Sequence, residues 1–418
     1  MAESISVDQV SAMFKQIYAD KSLKASEVET SLQELIKYDP ESAPGDEFVQ
    51  AIQMTGEWGF TLRAAGGSGT TMNDAIAMKV EKATAIGSII DFQSVIEIEV
   101  MKRAMTSKQS FRNHVGLRME GMRDSMKRIV EVNTLYGGEE LGVISGTPAV
   151  TNTVDVTVTF SAATWAGGFW AGTENMPVDI KTSGGTAHAS SATVKTYDLE
   201  ARTVTFTCAD GTAASAVADG DYVWLKGAST TTVLPGISKI IRNQSSTING
   251  ISASTYPLWR GVTYAVGAQI TMAAVLQADA RIAERAAGKK VEKKVLVSPK
   301  NYAVLNSDLS GSRRYDGSYS RTKGANGVGA IEYYSPNGLL TIETHKYVKD
   351  GDAFIVNPDK WSRIGPSDIT FEIPGSGGNF FQLVPGKPQY EYRGYSHQSP
   401  FCEAPASNAV LTGLVVPT

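Results

Sequence analysis

Cysteine is almost missing. Cys208 and Cys402 are the only two in 418 residues, too few and too far apart for a disulfide framework or a cysteine metal cluster, so both are expected as buried thiols. Histidine is nearly as scarce: His114, His188, His345 and His397 stand alone. No H-E-x-x-H pair and no other ligand spacing exists, so no metal is expected. No apolar run approaches about eighteen residues, and the start, MAESISVDQV, lacks a basic segment followed by an apolar one. A soluble cytoplasmic chain with no membrane span is expected. The net charge is only −4, too balanced to wrap nucleic acid by bulk charge, although local basic patches stay open.

Catalytic motifs are missing too. GGSGTT, Gly66 to Thr71, has the glycines of a phosphate loop but no lysine and no strand-to-helix frame. A hairpin tip explains it better. GANGVG, Gly324 to Gly329, fails the dinucleotide spacing, and no G-x-S-x-G elbow occurs. Asp350 and Asp352 could pass for paired carboxylates, but an Asp-Gly turn between strands accounts for them. No cofactor and no enzymatic activity are expected.

What is present is architectural. With 42% hydrophobic and 20% charged residues, the composition is that of an ordinary globular chain of two or three domains. Forty glycines, with many Thr, Ser and Val, favour strands and turns over a helical bundle. The exception is Thr106 to Gly138. Thr106 with Gln109 makes a capping box, and Gly137-Gly138 can stop a helix in the left-handed region. Between them Phe111, Val115, Met119, Met122, Met126, Ile129, Asn133 and Tyr136 form one narrow stripe. Arg112, Arg118, Arg123, Lys127, Arg128, Glu120, Asp124 and Glu131 place charge around the rest. At about 1.5 Å per residue such a helix runs roughly 45 Å, enough to span a domain. Gly116 and Gly121 inside it are expected where another segment crosses close to the axis; a coiled-coil arm is the alternative.

Two capping boxes, Ser6 with Gln9 and Ser26 with Glu29, open short amphipathic helices in an N-terminal arm. After Pro40 and Pro44 comes FVQAIQMTGEWGFTLRAAGGSGTTMND, an extended run, and a return through AIAMKVEKATAIGSIIDFQSVIEIEV. This reads as a long two-stranded excursion, marginal by itself in water, with Trp58 and Phe60 as apolar anchors for a partner. Ile96 to Val100 alternates with period two. From Thr147 to about Lys226, short alternating strands (VDVTVTF, PVDIKTS, ATVKTYD, RTVTFTCAD, DYVWLKG) form an inserted all-β module. Beyond Val262 a mixed body follows: a helix ending near Gly288, strand VLVSP, and a helix opening at Pro299. Hairpins are read at Asn337-Gly338 and Asp350-Gly351. In the long loop SDLSGSRRYDGSYSRTKGANGVG, Arg313, Arg314, Arg321 and Lys323 mix with Tyr315 and Tyr319. That loop reads first as solvated, next as a protein contact, and last as a base-stacking surface.

The order of these parts (arm helices, long hairpin, one long helix ending in LYGG, a following LGVIS, and a late mixed body with a long loop) resembles the major capsid proteins of tailed bacteriophages. The resemblance implies an α+β chain of Hong Kong 97-type capsid fold, with peripheral and axial domains, a long spine helix, an extended loop and here an inserted all-β domain. It implies residues 1–45 as N-terminal arm, 46–95 as extended loop and start of the peripheral domain, 96–146 as peripheral domain with the spine, 147–235 as the insert, and 236–418 as the return and axial domain. Assembly contacts are then expected at Trp58, Phe60, Gly66, Gly67 and Gly69 of the extended loop and at Arg313, Arg314 and Arg321 near a symmetry axis. The implied partners are copies of the chain in hexamers and pentamers, a separate scaffolding protein and a portal, and packaged double-stranded DNA touched weakly by the inner face. The implied location is the virion capsid, assembled in the host cytoplasm. An encapsulin-type compartment shares the resemblance. A β-rich adhesin or tail component is the more distant alternative, and a hydrolase the least supported.

Overall fold

A computed structural model of the chain describes residues 28–39, 47–63, 65, 71–98, 108–230, 233, 235–286, 291–310, 331–335, 337–371 and 381–416, with only the backbone for 108–117 and 309–310. The first expected N-terminal helix, both expected N-terminal caps, the cap at Thr106 and the loop from 311 to 330 lie outside these residues. What remains of the second arm helix is Ser31–Leu35, where Leu32 and Ile36 are fully buried.

Strands β1 (Phe48–Gln53) and β2 (Val80–Ala85) pair antiparallel from Phe48 opposite Ala85 to Gln53 opposite Val80, the base of the expected excursion. The chain then turns at Gly87 into β3 (Ser88–Glu97), whose exposure alternates residue by residue as its period-two pattern requires. The long helix follows, Lys108–Tyr136, and stops at Gly138 with φ +71°.

The helix lies on a sheet built late in the chain. Its Met119 and Met122 pack with Phe92 and Ile96 of β3 and with Tyr392 of the long strand Gln389–Cys402. The expectation for Gly121 is wrong: a Cβ there would meet nothing within 4 Å. The close approach is on the sheet side, where a Cβ on Gly394 would overlap Met126 Sδ. The charged circumference holds only for the first described turns. From Val130 to Tyr136 the helix is buried nearly all round, Glu131 and Thr134 included.

Seven antiparallel strands come next: β4 (Gly142–Val143), β5 (Ala149–Thr151), β6 (Asp155–Thr159), β7 (Pro177–Lys181), β8 (Ala187–Asp198), β9 (Thr203–Thr207) and β10 (Tyr222–Leu225). Their spatial order is β4-β10-β7-β8-β9-β6-β5, so the sheet already begins at Gly142, within LGVIS. Its inward Val156, Val158, Ile180, Val194, Val204 and Phe206 close on Phe160, Trp165, Phe169 and Trp170. That cluster runs on without a break into Val132, Leu135 and Tyr136 of the long helix and Phe354 and Val410 of the C-terminal body. Backbone bonds join them as well, Asp350 N–H to Trp165 O at 2.8 Å and Gly351 N–H to Ala163 O at 3.0 Å.

A two-residue hairpin, β11 (Thr247–Ile248) and β12 (Ile251–Ser252), turns at Asn249 and Gly250, both with positive φ. Sequence reasoning passed over this Asn-Gly signal, although it is the strongest short hairpin cue. A six-stranded mixed sheet follows, with β13 (Val262–Ala265), β14 (Lys293–Val297), β15 (Ile331–Ser335), β16 (Gly338–Thr344), β17 (Asp352–Val356) and the terminal Ala409–Thr412. Helices Met272–Arg285, capped by Thr271 Oγ1 on Ala274 N–H, and Pro299–Ser310 belong to the same body. The Asn337-Gly338 hairpin is present, pairing β15 with β16. The Asp350-Gly351 hairpin is not: β14 lies between β16 and β17, parallel to one and antiparallel to the other. A turn is made at Asp350-Gly351, closed by Asp352 N–H on Lys349 O at 3.0 Å, but its flanking strands do not pair because β14 occupies the place between them.

The remaining sheet centres on Gln389–Cys402, flanked by β3 on one side and by Trp361–Thr370 and Gln382–Leu383 on the other. The described residues thus form a mixed α+β chain of several sheets.

Candidate assembly surface

Around the end of the long helix, buried charged groups find partners within the chain. Glu131, fully buried, accepts the backbone N–H groups of Leu32 at 2.7 Å and Gln33 at 3.2 Å, and His345 Nε2 lies 3.1 Å from it. Tyr347 N–H donates to His345 Nδ1, which leaves the ring proton on Nε2, aimed at the carboxylate. A carboxylate at the first turn of Ser31–Leu35 also meets the positive end of that helix. Arg363 fastens the same N-terminal segment, donating from Nε to Ile36 O at 2.8 Å and from Nη1 to Gln398 at 2.7 Å.

The two carboxylates weighed as a catalytic pair are separately partnered. Asp352 meets Arg242 at 2.6 Å and the Tyr136 hydroxyl at 3.3 Å, whereas Asp350 faces Lys300 at 3.5 Å. Burial pushes the Asp350 carboxyl up, and the Tyr136 hydroxyl well up. Of the described histidine side chains, His188 pairs with Asp221 at 2.7 Å and His397 donates to Gly87 O at 2.9 Å. Among the described residues no three His, Cys, Asp or Glu side chains cluster as a metal site. Cys208 and Cys402 are buried and unpaired with each other, and burial raises both thiols. No described helix is long and apolar enough to cross a membrane.

The arm beyond β1 and β2 is the opposite. Trp58 is 59% exposed, Phe60 64%, Leu62 87% and Met72 77%, with Ile76 and Met78 also exposed. Its two sides are joined sparsely, by Trp58 N–H to Ile76 O at 3.0 Å and by Asn73, which donates to Thr61 Oγ1 at 2.8 Å and to Phe60 O at 3.1 Å. Scattered apolar residues on a surface are ordinary, whereas several large ones close together on one arm are not. Covering each large side chain contributes about 1.5–3 kcal/mol.

Trp58 and Phe60 therefore lie where sequence reasoning put them, uncovered. Leu62, Met72, Ile76 and Met78 were missed, although each is an apolar residue in a stretch with no helical or strand periodicity. Gly66, Gly67, Gly69, Arg313, Arg314 and Arg321 fall outside the described residues.

No protein-family model matches the chain, and no curated protein matches it in sequence. Solved structures do share its fold. The capsid asymmetric unit of cyanophage A-1(L) superposes with a TM-score of 0.57 at 11% identity, over 98% of this chain and 99% of that one. The capsid of a native GTA particle, computed with C5 symmetry, gives 0.50 at 9% identity over 99% and 100%. The holo-SrpI encapsulin complex from Synechococcus elongatus PCC 7942 reaches only 0.43 at 9% identity, too low to weigh in the choice between shells. The chain is thus similar in fold, over nearly its whole length, to phage capsid proteins.

Proposed function

We propose that the chain is a shell subunit of the tailed-bacteriophage major capsid type, assembling with copies of itself into an icosahedral particle that encloses double-stranded DNA. The observation that carries this reading is the arm: a set of large apolar side chains left in water side by side, Leu62 and Met72 the most exposed of them. In a shell each arm is covered by a neighbour. Many such contacts of the standard size or smaller act together once the wall closes, so each can stay weak and reversible during growth.

In this reading the helix Lys108–Tyr136 is the spine of a peripheral domain of Hong Kong 97 type, lying on the sheet centred on Gln389–Cys402. The six-stranded sheet is the body of the axial domain, the arm is the extended loop, and the seven-stranded sheet is an insert projecting outward. Hexamers and pentamers, a separate scaffolding protein, a portal and weak inner-face contact with DNA complete the assembly. It takes place in the host cytoplasm and yields the virion capsid. The subunit performs no chemistry.

The test is electron microscopy of particles from the parent and from Trp58→Ser/Phe60→Ser, together with the particle contents. Closed shells from the parent and at least a tenfold loss from the variant are expected, with the variant subunit still folded. Normal shells from the variant overturn the role of the arm. Particles filled with a protein cargo in place of DNA move the reading to an encapsulin-type compartment.

A further inference from the structure

The arm is uncovered along its length but gripped at its root. Two residues of β2 and the glycine just beyond it are tied to the body. Glu81 accepts the Tyr256 hydroxyl at 2.5 Å, Thr84 donates its N–H to Asn249 O at 2.9 Å, and Gly87 O accepts from His397 at 2.9 Å. At about 3.3 Å per residue the two ties within β2 span roughly 10 Å of strand. On the other strand Phe48 stacks edge-on against Phe401 with centroids 5.2 Å apart. Met54, Ala83 and Ala85 are buried with Ile251, Trp259 and Ile364.

The Asn249-Gly250 hairpin is itself immobilised. Trp259 Nε1 donates to Ile248 O at 3.1 Å, and Arg260 donates to Ala253 O and, at 2.9 Å, to Ser254 O. Its tip abuts the arm: a Cβ on Gly250, whose φ is +80°, would stand 3.3 Å from Lys82 O. Only glycine fits both the turn and the contact without strain. Beyond Gln53 and Val80 the regular ladder ends. There Met54 and Thr55 both bond Lys79 O, at 2.9 and 3.4 Å, and the cross-links become sparse.

We propose that the Asn249-Gly250 hairpin and Tyr256 form a rigid mount that sets the direction in which the arm leaves the body, and that the arm bends only beyond Met54 and Lys79. The mount is a positioning device. Its consequence for shell geometry rests on the arm being an inter-subunit contact, but the mount itself belongs to the single chain. Curvature would then be adjusted in the distal arm while the root keeps one angle relative to the long helix and its sheet.

The test uses full-length subunits below the concentration of particle formation, with spin labels at Lys79→Cys, where the root ends, and Glu97→Cys, both exposed positions; the native Cys208 and Cys402 are buried. Gly250→Val is expected to at least double the width of the distance distribution relative to the unsubstituted mount. It should also speed hydrogen exchange at the Thr84 amide at least tenfold, with exchange in Val130–Tyr136 unchanged. Tyr256→Phe, which removes a hydroxyl and no packing, is expected to give a smaller broadening, and decides the matter if Gly250→Val does not fold. Identical distributions in the parent and Tyr256→Phe together with unchanged Thr84 exchange overturn the mount. Because no particle is needed, this result is independent of whether the arm builds shells.

Discussion

At Glu131 the carboxylate of a fully buried side chain finds two backbone N–H groups and a histidine within 3.2 Å, all inside the same chain. At Trp58 an indole stands more than half in water, tied to its own hairpin by one backbone bond. One region is polar and the other apolar, and they differ in where their partners are. A buried charge without its partners costs several kcal/mol, so the helix end must be completed within the subunit. An exposed aromatic costs little until something can cover it, so the arm can wait. The described residues thus combine a polar network completed within the subunit and an apolar arm left uncovered by it.

The sharpest way to break this contrast is to remove the apolar side chains of the arm. Trp58→Ser/Phe60→Ser should leave the denaturant midpoint of the unassembled subunit within about 0.5 kcal/mol of the parent. Shell yield should nevertheless collapse, because each of many copies loses about 3–6 kcal/mol of contact. A large drop in subunit stability would mean that the arm is folded back on its own chain, and the contrast would disappear.

Glu131→Ala is the mirror experiment. It leaves His345 and the Leu32 and Gln33 N–H groups buried without an acceptor, and should destabilise the subunit by about 3–5 kcal/mol in urea unfolding. The arm should not respond: protease cleavage between Thr55 and Lys79 should proceed at the parent rate under native conditions.

A smaller effect sharpens the packing of helix on sheet. Met126→Ala removes a fully buried side chain and should cost about 2–5 kcal/mol. Gly394→Ala intrudes on Met126 Sδ and should cost about 1–3 kcal/mol. In the double variant the new methyl enters the space the methionine left, so the sum should fall short of additivity by about 1 kcal/mol or more. Strict additivity would show that the two do not share one site.

Much of this contrast could be read from residue order. The long helix, its glycine stop, the five strand segments between Thr147 and Lys226 and the uncovered Trp58 and Phe60 all rest on local signals: periodicity, caps, turn residues. The failures are of another kind. Gly121 carries no clash, and the small residue that matters is Gly394, almost three hundred positions away on the strand beneath. Asp350-Gly351 looks like a hairpin, but a strand already made, β14, inserts between its flanks. Glu131 reads as one more surface charge until His345 and the Leu32 backbone are brought to it. Each error concerns a partner distant in sequence, which periodicity within a window cannot register. The Asn-Gly hairpin at 249–250 was different, a local signal simply not used.

The smallest predicted effect separates two aspartates of opposite sign. Lys195 at 2.6 Å and the Thr207 hydroxyl at 2.7 Å hold the Asp155 carboxyl below its ordinary range. Its contribution to stability is therefore present above the unfolded carboxylate value and is lost as the pH falls through the folded one. Asp350 is shifted upward by burial, which Ser298 and Lys300 only partly offset. Here the folded chain holds the proton more tightly than the unfolded chain does. Stability is therefore greatest below the unfolded value and declines as the pH rises toward the folded one. Unfolding midpoints measured from strongly acidic to neutral pH should show Asp155→Asn losing most at neutral pH and converging on the parent only in strong acid, below the ordinary carboxylate value. Asp350→Asn should gain on the parent as the pH rises, by removing the cost of a buried charge. Parallel profiles for the two variants would mean that Lys300 and Ser298 outweigh burial at Asp350, so that this carboxylate too is fully partnered within the body.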